Sequence, residues 1–322
     1  MAATHLHREK RVSQRKYISE FGLNAETQLI FLAQYEDLDR LAQQPDLQEH
    51  PCHVYAICRR PRITIDPAVF AIDETMVRGR MRIQRGTSFE DRDYTTPNLL
   101  GRTDIKLRSE YPFTEFSLVA PSGERVSWGK VGMLAHYVQQ MQDALDLEVL
   151  YVGQAFGSGG ERTAIDRLKG HSTLLGIYAE AATRSPDQEI WLVLLNFRYL
   201  LLGSFDGITK NHGVSDEEDN AHIKRITSAD LPEQLWINFT EAALIRYFDP
   251  PYNKMFRGTF PNPAHGSYHE CYNLDLNLVS VAVETSEART QLWSSAVPRA
   301  WLHLPVYPLH SAEERRSMFE IL

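Results

Sequence analysis

The segment Glu189–Phe197, with the sequence EIWLVLLNF, constrains the fold more than any other part of the chain. It is short and apolar on both faces, which is the pattern of a strand buried in the middle of a sheet. Its apolar run, Ile190–Leu195, is followed by Asn196 and Arg198, so we do not expect it to span a membrane. A sheet flanked by helices is therefore the expected core.

Composition limits the classes of protein to which this chain can belong. With 322 residues, 43% of them hydrophobic, it can bury at least one sizeable core, and 18 glycines and 16 prolines do not fit a collagen-like protein. Three cysteines form an odd count in a long chain, which favours a reducing compartment over a secreted disulfide scaffold. The first residues lack the apolar stretch of a signal peptide, so we predict a cytoplasmic protein.

Charge is unevenly distributed along the chain. The 34 lysines and arginines face 42 aspartates and glutamates, a net charge of −8, so the whole molecule is not expected to carry a broad positive field for nucleic acid. Residues 1–16 nevertheless hold five cations, namely Arg8, Lys10, Arg11, Arg15 and Lys16. We predict a basic flexible arm there, either a solvated tail or a segment that contacts nucleic-acid phosphates.

The strand and helix patterns predict an α/β (α+β) chain in several parts. After the arm we expect an N-terminal α+β domain over residues 17–109. A central domain is expected over residues 110–257. Residues 258–322 form a C-terminal extension in this interpretation.

Individual segments carry their own expectations. Extended segments are expected at His53–Ile57 and Leu147–Val152, and amphipathic patterns predict helices over 25–44 and 129–144. The four consecutive acidic residues from Asp216 to Asp219 are expected in a solvated loop.

Alternating arginines mark one segment of the N-terminal domain. Arg78, Arg80 and Arg82 would share one face of a strand, because successive side chains of a strand point to opposite faces. This face is either a solvated sheet surface or a surface that binds DNA or RNA.

Three elements in the middle of the chain carry residues suited to phosphodiester chemistry. A strand ends in Leu150-Tyr151-Val152-Gly153, a helix spans Asp166 to His171, and a later helix holds Glu241 before the turn that ends at Asn253. This order resembles the GIY-YIG endonuclease superfamily over residues 110–257. No single element is specific, but their order and context are moderately specific together. The resemblance implies that the central domain has three layers, with a small, mainly antiparallel sheet flanked by helices. It also implies a nuclease for which DNA is the favoured substrate, in restriction, defence or repair.

The resemblance implies a role for each matching residue. Tyr151 is similar to the tyrosine of the YIG element, and Arg167 to the phosphate-binding arginine of the first helix. Glu241 is similar to the metal-binding glutamate. His171, one turn after Arg167, is a further catalytic candidate, and the supporting candidates are Asn253 and Lys169.

Each of these residues also has a structural alternative. Tyr151 could be a core tyrosine with a bonded hydroxyl, and Arg167 could be a surface partner in an ion pair with Glu241. His171 could be an ordinary histidine of the helix face. Glu241 could be a solvated residue of its helix, and Asn253 could serve only to shape the turn.

The first tyrosine of the family pattern has no clear match. It should lie on a strand a few residues before Tyr151, but the candidate strand Thr114–Leu118 carries phenylalanine at Phe116. Tyr111 lies just upstream and is the nearest candidate for the general base. The Gly-Ile-Tyr sequence at 176–178 follows Tyr151 and falls in a helical region, so we treat it as a coincidence.

Hydrolysis of a phosphodiester requires an activated water and neutralisation of the charge that develops on the phosphate. A single carboxylate such as Glu241 can hold one Mg²⁺ or Mn²⁺ that keeps several waters. Arg167 can donate two parallel hydrogen bonds to phosphate oxygens. Tyr151 or His171 could orient or deprotonate the water.

A second group of residues has side chains suited to zinc. The candidates are Cys52, Cys58, His265, His269 and Cys271. The gap between the first two cysteines is wider than in common zinc sites, so we expect buried thiols and surface histidines instead of a structural Zn²⁺ site.

The sequence is compatible with two functions. The first is a divalent-metal-dependent nuclease, with nucleic acid as partner and no membrane association. The second is a catalytically inactive binding module on the same fold, in which the missing first tyrosine marks lost activity.

Overall fold

The computed structural model describes residues 15–157, 159–207 and 213–320. The fold is mixed α/β, as predicted, with one large, curled, mainly antiparallel sheet, two small antiparallel sheets and flanking helices. The strands in chain order are β1 (Ser19–Ala33), β2 (Val54–Pro61), β3 (Ile63–Ile72), β4 (Met76–Arg85), β5 (Ser88–Pro97), β6 (Lys106–Arg108), β7 (Glu115–Val119), β8 (Arg125–Lys130), β9 (Leu147–Gln154), β10 (Gln188–Phe205), β11 (Leu278–Glu284), β12 (Leu292–Trp293), β13 (Leu302–His303) and β14 (Val306–Pro308).

The helices are short except for three that pack on the large sheet. In chain order they are α1 (Leu38–Leu41), α2 (Pro45–Glu49), α3 (Val131–Leu134), α4 (Ala164–Lys169), α5 (Ser172–Arg184), α6 (Asp216–Thr227), α7 (Glu233–Phe248) and α8 (Glu270–Asn273). Short 3₁₀ turns cover Tyr35–Asp37, Ala135–Tyr137, Gln139–Ala144 and Gly266–Tyr268. Across the described ranges, none of the helices has the length and apolar character needed to cross a membrane.

Strand β10 lies at the centre of the large sheet. The strand order is β12–β9–β2–β10–β1–β11–β13, and β14 also pairs with β11. All side chains from Ile190 to Leu195 are buried, because both faces of β10 are covered. The prediction of a central strand in this segment is confirmed.

Alternation along β2 separates the two hydrophobic cores of the sheet. Tyr55 and Ile57 face the core that includes α4 and α5. Val54, Ala56 and Cys58 face the core that includes α7. Since successive side chains of a strand point to opposite faces, β2 contributes to both layers, and its odd-numbered positions lie beside α4.

Six strands are inserted between β2 and β9, which are neighbours in the large sheet. They form the small sheets β3–β4–β5 and β6–β7–β8, which share a core with α3 and the turns that follow it. The large sheet itself takes strands from both ends of the chain, because β1 pairs in parallel with β11. The predicted boundaries at 109/110 and 257/258 therefore need correction, since the large sheet crosses both of them.

Three local predictions are wrong. The segment 25–44 is not one helix, because residues 25–33 belong to β1, which hydrogen-bonds to β10 and β11, and only the short turn at Tyr35–Asp37 and α1 are helical. The segment 129–144 is divided among the end of β8, α3 and two 3₁₀ turns. The acidic residues from Asp216 to Asp219 form the first turn of α6, where Ser215 caps the helix and negative charge is favourable.

The predicted basic arm is described only at its end. Residues 1–14 lie outside the described residues. Arg15 is buried and its Nη2 donates to the carbonyl of Ser204 at 2.7 Å, while Lys16 forms an ion pair with Asp275. These two of the five predicted arm cations are therefore held against the folded chain and are not part of a free tail.

Candidate functional site

Two tyrosines meet on the neighbouring strands β2 and β9. Tyr55 lies opposite Gly153, and Tyr151 lies opposite Ile57, so the two phenol rings are diagonal neighbours with centroids 6.3 Å apart. A side chain at position 153 would not fit, because its Cβ would come within 2.6 Å of the Tyr55 hydroxyl. The glycine of the Tyr-Val-Gly sequence is thus explained by the tyrosine across the strand pair.

The Tyr55 hydroxyl is buried, and its hydrogen bonding is poorly satisfied. No described residue meets hydrogen-bond geometry at its Oη. Burial raises the pKa of Tyr55, while the Arg167 guanidinium nearby acts in the opposite direction. The Arg167 and Tyr151 side chains nevertheless lie close enough to act on this hydroxyl as hydrogen-bond partners of poor geometry. Its hydrogen bonding is therefore incomplete, and a bound water or ligand would complete it.

Arg167 is placed by a well-defined helix start. Thr163 caps α4, and its side chain and that of Asp166 exchange the reciprocal hydrogen bonds of a capping box. Arg167 follows one turn into the helix and is half-buried. Its positive charge opposes the rise that burial causes in the pKa values of both Glu241 and Tyr55, so the guanidinium acts on both groups.

Glu241 projects from α7, which packs against β9 and β2. Burial raises the pKa of its carboxyl to about 7, and Arg167 and a hydrogen bond from the Gln154 backbone oppose this rise. The same carboxylate raises the pKa of Tyr151, for which burial is the larger cause. Glu241 therefore belongs to one electrostatic cluster with the two tyrosines and the arginine.

His171 is in the cluster, but its geometry differs from the expected one. Helix α4 ends at Lys169, and His171 is the N-cap of α5, where its Nδ1 accepts a hydrogen bond from the Leu174 backbone at 3.1 Å. The imidazole proton therefore lies on Nε2. Burial, followed by Arg167 and Arg162, lowers the pKa of this histidine, so the ring is neutral at pH 7.

This geometry removes His171 as a base through Nδ1. Its ring centroid lies 5.2 Å from that of Tyr151 and 5.8 Å from that of Tyr55, both in edge-to-face contact. We therefore assign His171 to positioning the two phenol rings.

Asn253 holds the backbone of β9 beside the cluster. Its Oδ1 accepts from the Val152 amide at 2.9 Å, and its Nδ2 donates to the Val152 carbonyl at 2.8 Å. Val152 lies between Tyr151 and Gly153, so the asparagine fixes the strand segment that carries both. Its role is to position these residues, which is more than shaping the turn.

The other predicted site residues lie elsewhere. Tyr111 is 87% exposed and lies in the loop before β7, in a groove of the inserted sheet. Strand β7 itself forms as predicted, but it belongs to a small sheet and does not neighbour β9. Lys169 is exposed and pairs with Asp39 at 2.6 Å.

The alternating arginines of β4 share one face, as predicted, but their charges are neutralised. We call Arg78, Arg80 and Arg82 the β4 arginines. Their ion-pair partners are Asp73 for the first, Asp91 and Asp93 for the second, and Asp66 and Asp91 for the third. This face therefore corresponds to the solvated alternative more closely than to a phosphate-binding surface.

The zinc candidates do not form a cluster. All three cysteines are free thiols and buried, and burial raises their pKa values. His269 Nδ1 lies 2.8 Å from the Pro263 carbonyl oxygen, and His265 contacts Ser267. Among the described residues, no group of three or more histidine, cysteine, aspartate or glutamate side chains could hold a metal.

Tyr55 is the residue that sequence reasoning missed. The sequence predicts the strand at His53–Ile57 but places it in the N-terminal domain, apart from the strand that carries Tyr151. The signal was a tyrosine in the middle of a predicted strand.

Comparisons with known proteins add no relative: no family model, curated protein or solved structure matches this chain.

Proposed function

We propose that this protein is a divalent-metal-dependent nuclease of the GIY-YIG type that hydrolyses phosphodiester bonds, with DNA as the favoured substrate. The observation that carries the proposal is the cluster of Tyr55, Tyr151, Arg167 and Glu241 around the β2–β9 pair. Two phenols, a guanidinium and a carboxylate are the groups that this chemistry uses. Tyr55 supplies a candidate for the first tyrosine, whose absence was the main support for an inactive module.

The residues present are compatible with one Mg²⁺ or Mn²⁺ at Glu241. Among the described side chains the cluster offers one carboxylate, and Mg²⁺ in phosphoryl-transfer sites is commonly held by one or two carboxylates, with waters and substrate phosphates as the other ligands. Such an ion would supply positive charge beside the scissile phosphate.

The side chains of the cluster would bind the phosphate, orient the attacking water and hold the phenol rings in place. Arg167 would donate two hydrogen bonds to phosphate oxygens, which a lysine does less well. The Tyr55 hydroxyl, at which no described residue has good hydrogen-bond geometry, would orient the attacking water. Tyr151 would hold its ring against Tyr55, and His171 would keep both rings in place.

A cytoplasmic location belongs to the same proposal. Its support is the three buried free thiols, which suit a reducing compartment.

The test is cleavage by the pure protein of supercoiled DNA, single-stranded DNA and RNA, with Mg²⁺, with Mn²⁺ and with a chelator. We expect metal-dependent cleavage of at least one substrate. Replacing Arg167 with alanine should lower the rate by a factor on the order of 10² to 10³, because it removes stabilisation of the transition-state charge. Absence of cleavage on every substrate, or cleavage that the chelator does not affect, would contradict the proposal and favour a binding module.

A further inference from the structure

The inserted sheet β6–β7–β8 has a surface that the candidate site does not use. One face of it borders a groove of about 910 Å³. Trp128 is 60% exposed and Tyr111 is 87% exposed along this groove. Two large aromatic side chains exposed in one groove are a feature of binding surfaces.

Strand register explains why this face carries aromatic and basic groups. Arg108 lies opposite Ser117, and Ser117 lies opposite Trp128, so these three side chains form a row across the sheet on one face. Leu107 and Phe116 point to the other face, where they pack on the core of the inserted sheets. The inner face of the sheet therefore supplies the contacts with the hydrophobic core, and the side chains of the outer row can contact a ligand.

The cations of this row differ from the β4 arginines. The Arg125 guanidinium stacks over the Trp128 ring, 4.3 Å from its centroid. Within the part of the chain that the structure describes, neither Arg108 nor Arg125 forms an ion pair, whereas each β4 arginine has an aspartate partner. Arg108 and Arg125 can therefore meet phosphates without first breaking an ion pair.

The groove is not uniformly positive. Glu110 and Glu115 also line it, and Lys130 is neutralised by Glu36 and Asp37. A duplex presents two rows of phosphates and hides its base faces, so it would meet these carboxylates without gaining stacking. A single strand can place its bases on the aromatic rings and direct its phosphates toward the two free arginines.

A contact path connects the groove with the candidate site. Asp37, on the groove side, pairs with Lys130 of β8 at 2.6 Å. Two residues later, Asp39 pairs with Lys169 at the end of α4, also at 2.6 Å. Helix α4 carries Arg167, so the segment between the groove and the site is short and held at both ends.

We propose that this groove binds an unpaired stretch of nucleic acid, in which Trp128 stacks on a base and Arg108 and Arg125 contact phosphates. The proposal rests on the proposed function and deepens it, because it names the form in which the substrate is held beside the site. The shared chemistry is an unpaired base next to a phosphodiester, which both DNA and RNA provide.

The test is fluorescence anisotropy with the full chain, in chelator, with labelled oligodeoxyuridylate, oligouridylate and a duplex of the same length. Either single strand should bind more tightly than the duplex, and the tighter of the two identifies the sugar. Trp128→Ala should weaken single-strand binding by at least about fivefold, and Arg108→Gln with Arg125→Gln should weaken it and flatten its salt dependence. Because no metal is present, binding without any cleavage in the earlier assay would uphold this inference while the nuclease assignment fails.

Matched controls separate the groove from general charge. Phe89→Ala removes an aromatic that is 59% exposed on the other small sheet. Arg78→Gln with Arg80→Gln makes the same change of net charge as the groove pair. Neither control should alter single-strand binding by more than about twofold. Equal losses in controls and groove variants, duplex binding as tight as single-strand binding, or displacement by a polyglutamate peptide at equal charge concentration would overturn the proposal.

Discussion

At the scale of single residues, the pKa of Glu241 gives a testable link between the candidate site and the stability of the fold. Burial raises the pKa of its carboxyl to about 7 from an ordinary value of 4.5. The folded chain therefore holds this proton more tightly than the unfolded chain, so folding is favoured at low pH. That contribution is lost as the pH rises from about 4.5 to about 7.

This leads to a prediction about Glu241→Gln, which keeps the shape of the protonated side chain. In metal-free buffer the variant should raise the free energy of unfolding by about 1–3 kcal/mol at pH 8 and by close to nothing at pH 4. Urea unfolding at the two pH values measures the difference. Glu233→Gln, at the exposed start of the same helix, is the matched control and should change stability by less than about 0.5 kcal/mol at either pH. A destabilised Glu241→Gln protein at pH 8 would indicate a structural ion pair with Arg167 instead.

At the scale of elements, the β2–β9 pair builds the site, and Gly153 is the position that permits it. Gly153→Ala should destabilise the protein by about 1–3 kcal/mol, because its Cβ would press on the Tyr55 ring and hydroxyl and on the Tyr151 ring. In a Tyr55→Ala background only the Tyr151 contact is left, so the same change should cost less and the two substitutions should not be additive.

Gly176 provides the control for this prediction. It lies within α5, and a Cβ there would meet no atom within 4 Å, so Gly176→Ala should stabilise the protein by about 0.5–1 kcal/mol through helix propensity. Additive effects of Gly153→Ala and Tyr55→Ala would show that the close approach of strand and ring is not what excludes a side chain at 153.

The strand pair also shows how far the sequence can lead. Both strands are readable from their patterns, since His53–Ile57 and Leu147–Val152 are extended as expected. Their pairing is not readable, because six inserted strands separate them and register between distant strands depends on the whole packed sheet. Arg167 and Glu241 could be found from order and residue type, whereas Tyr55 required the sheet. The role of His171 required knowing that α4 stops at Lys169.

At the scale of the whole molecule, the large sheet joins strands from the two ends of the chain. Glu20 of β1 is fully buried and pairs with Arg315, which also contacts Asp275 at 2.7 Å. Domain boundaries drawn from sequence failed here because they assumed that neighbours in sequence fold together, while β1 pairs with β11.

The prediction at this scale concerns Arg315→Met. The change leaves the Glu20 carboxylate buried without its cation, so the free energy of unfolding should fall by about 3–5 kcal/mol. Thermal and urea unfolding measure it, and Arg316→Met, at the neighbouring position outside this ion pair, is the control. Recovery of stability in a Glu20→Gln, Arg315→Met double variant would support the account, and a loss equal to that of the control would refute it.

The central claim is that Tyr55 is the chemically active tyrosine of a nuclease site, and its most direct test is the cleavage rate of Tyr55→Phe beside Tyr111→Phe. We predict that Tyr55→Phe lowers the rate by a factor on the order of 10² to 10⁴ while the free energy of unfolding changes by less than about 1.5 kcal/mol, since no described residue has good hydrogen-bond geometry at the lost hydroxyl. Tyr111→Phe should cleave at the wild-type rate, because it keeps the aromatic ring in the groove and removes only the hydroxyl of an exposed side chain outside the cluster. Full activity in Tyr55→Phe, or loss of activity in Tyr111→Phe alone, would contradict the claim.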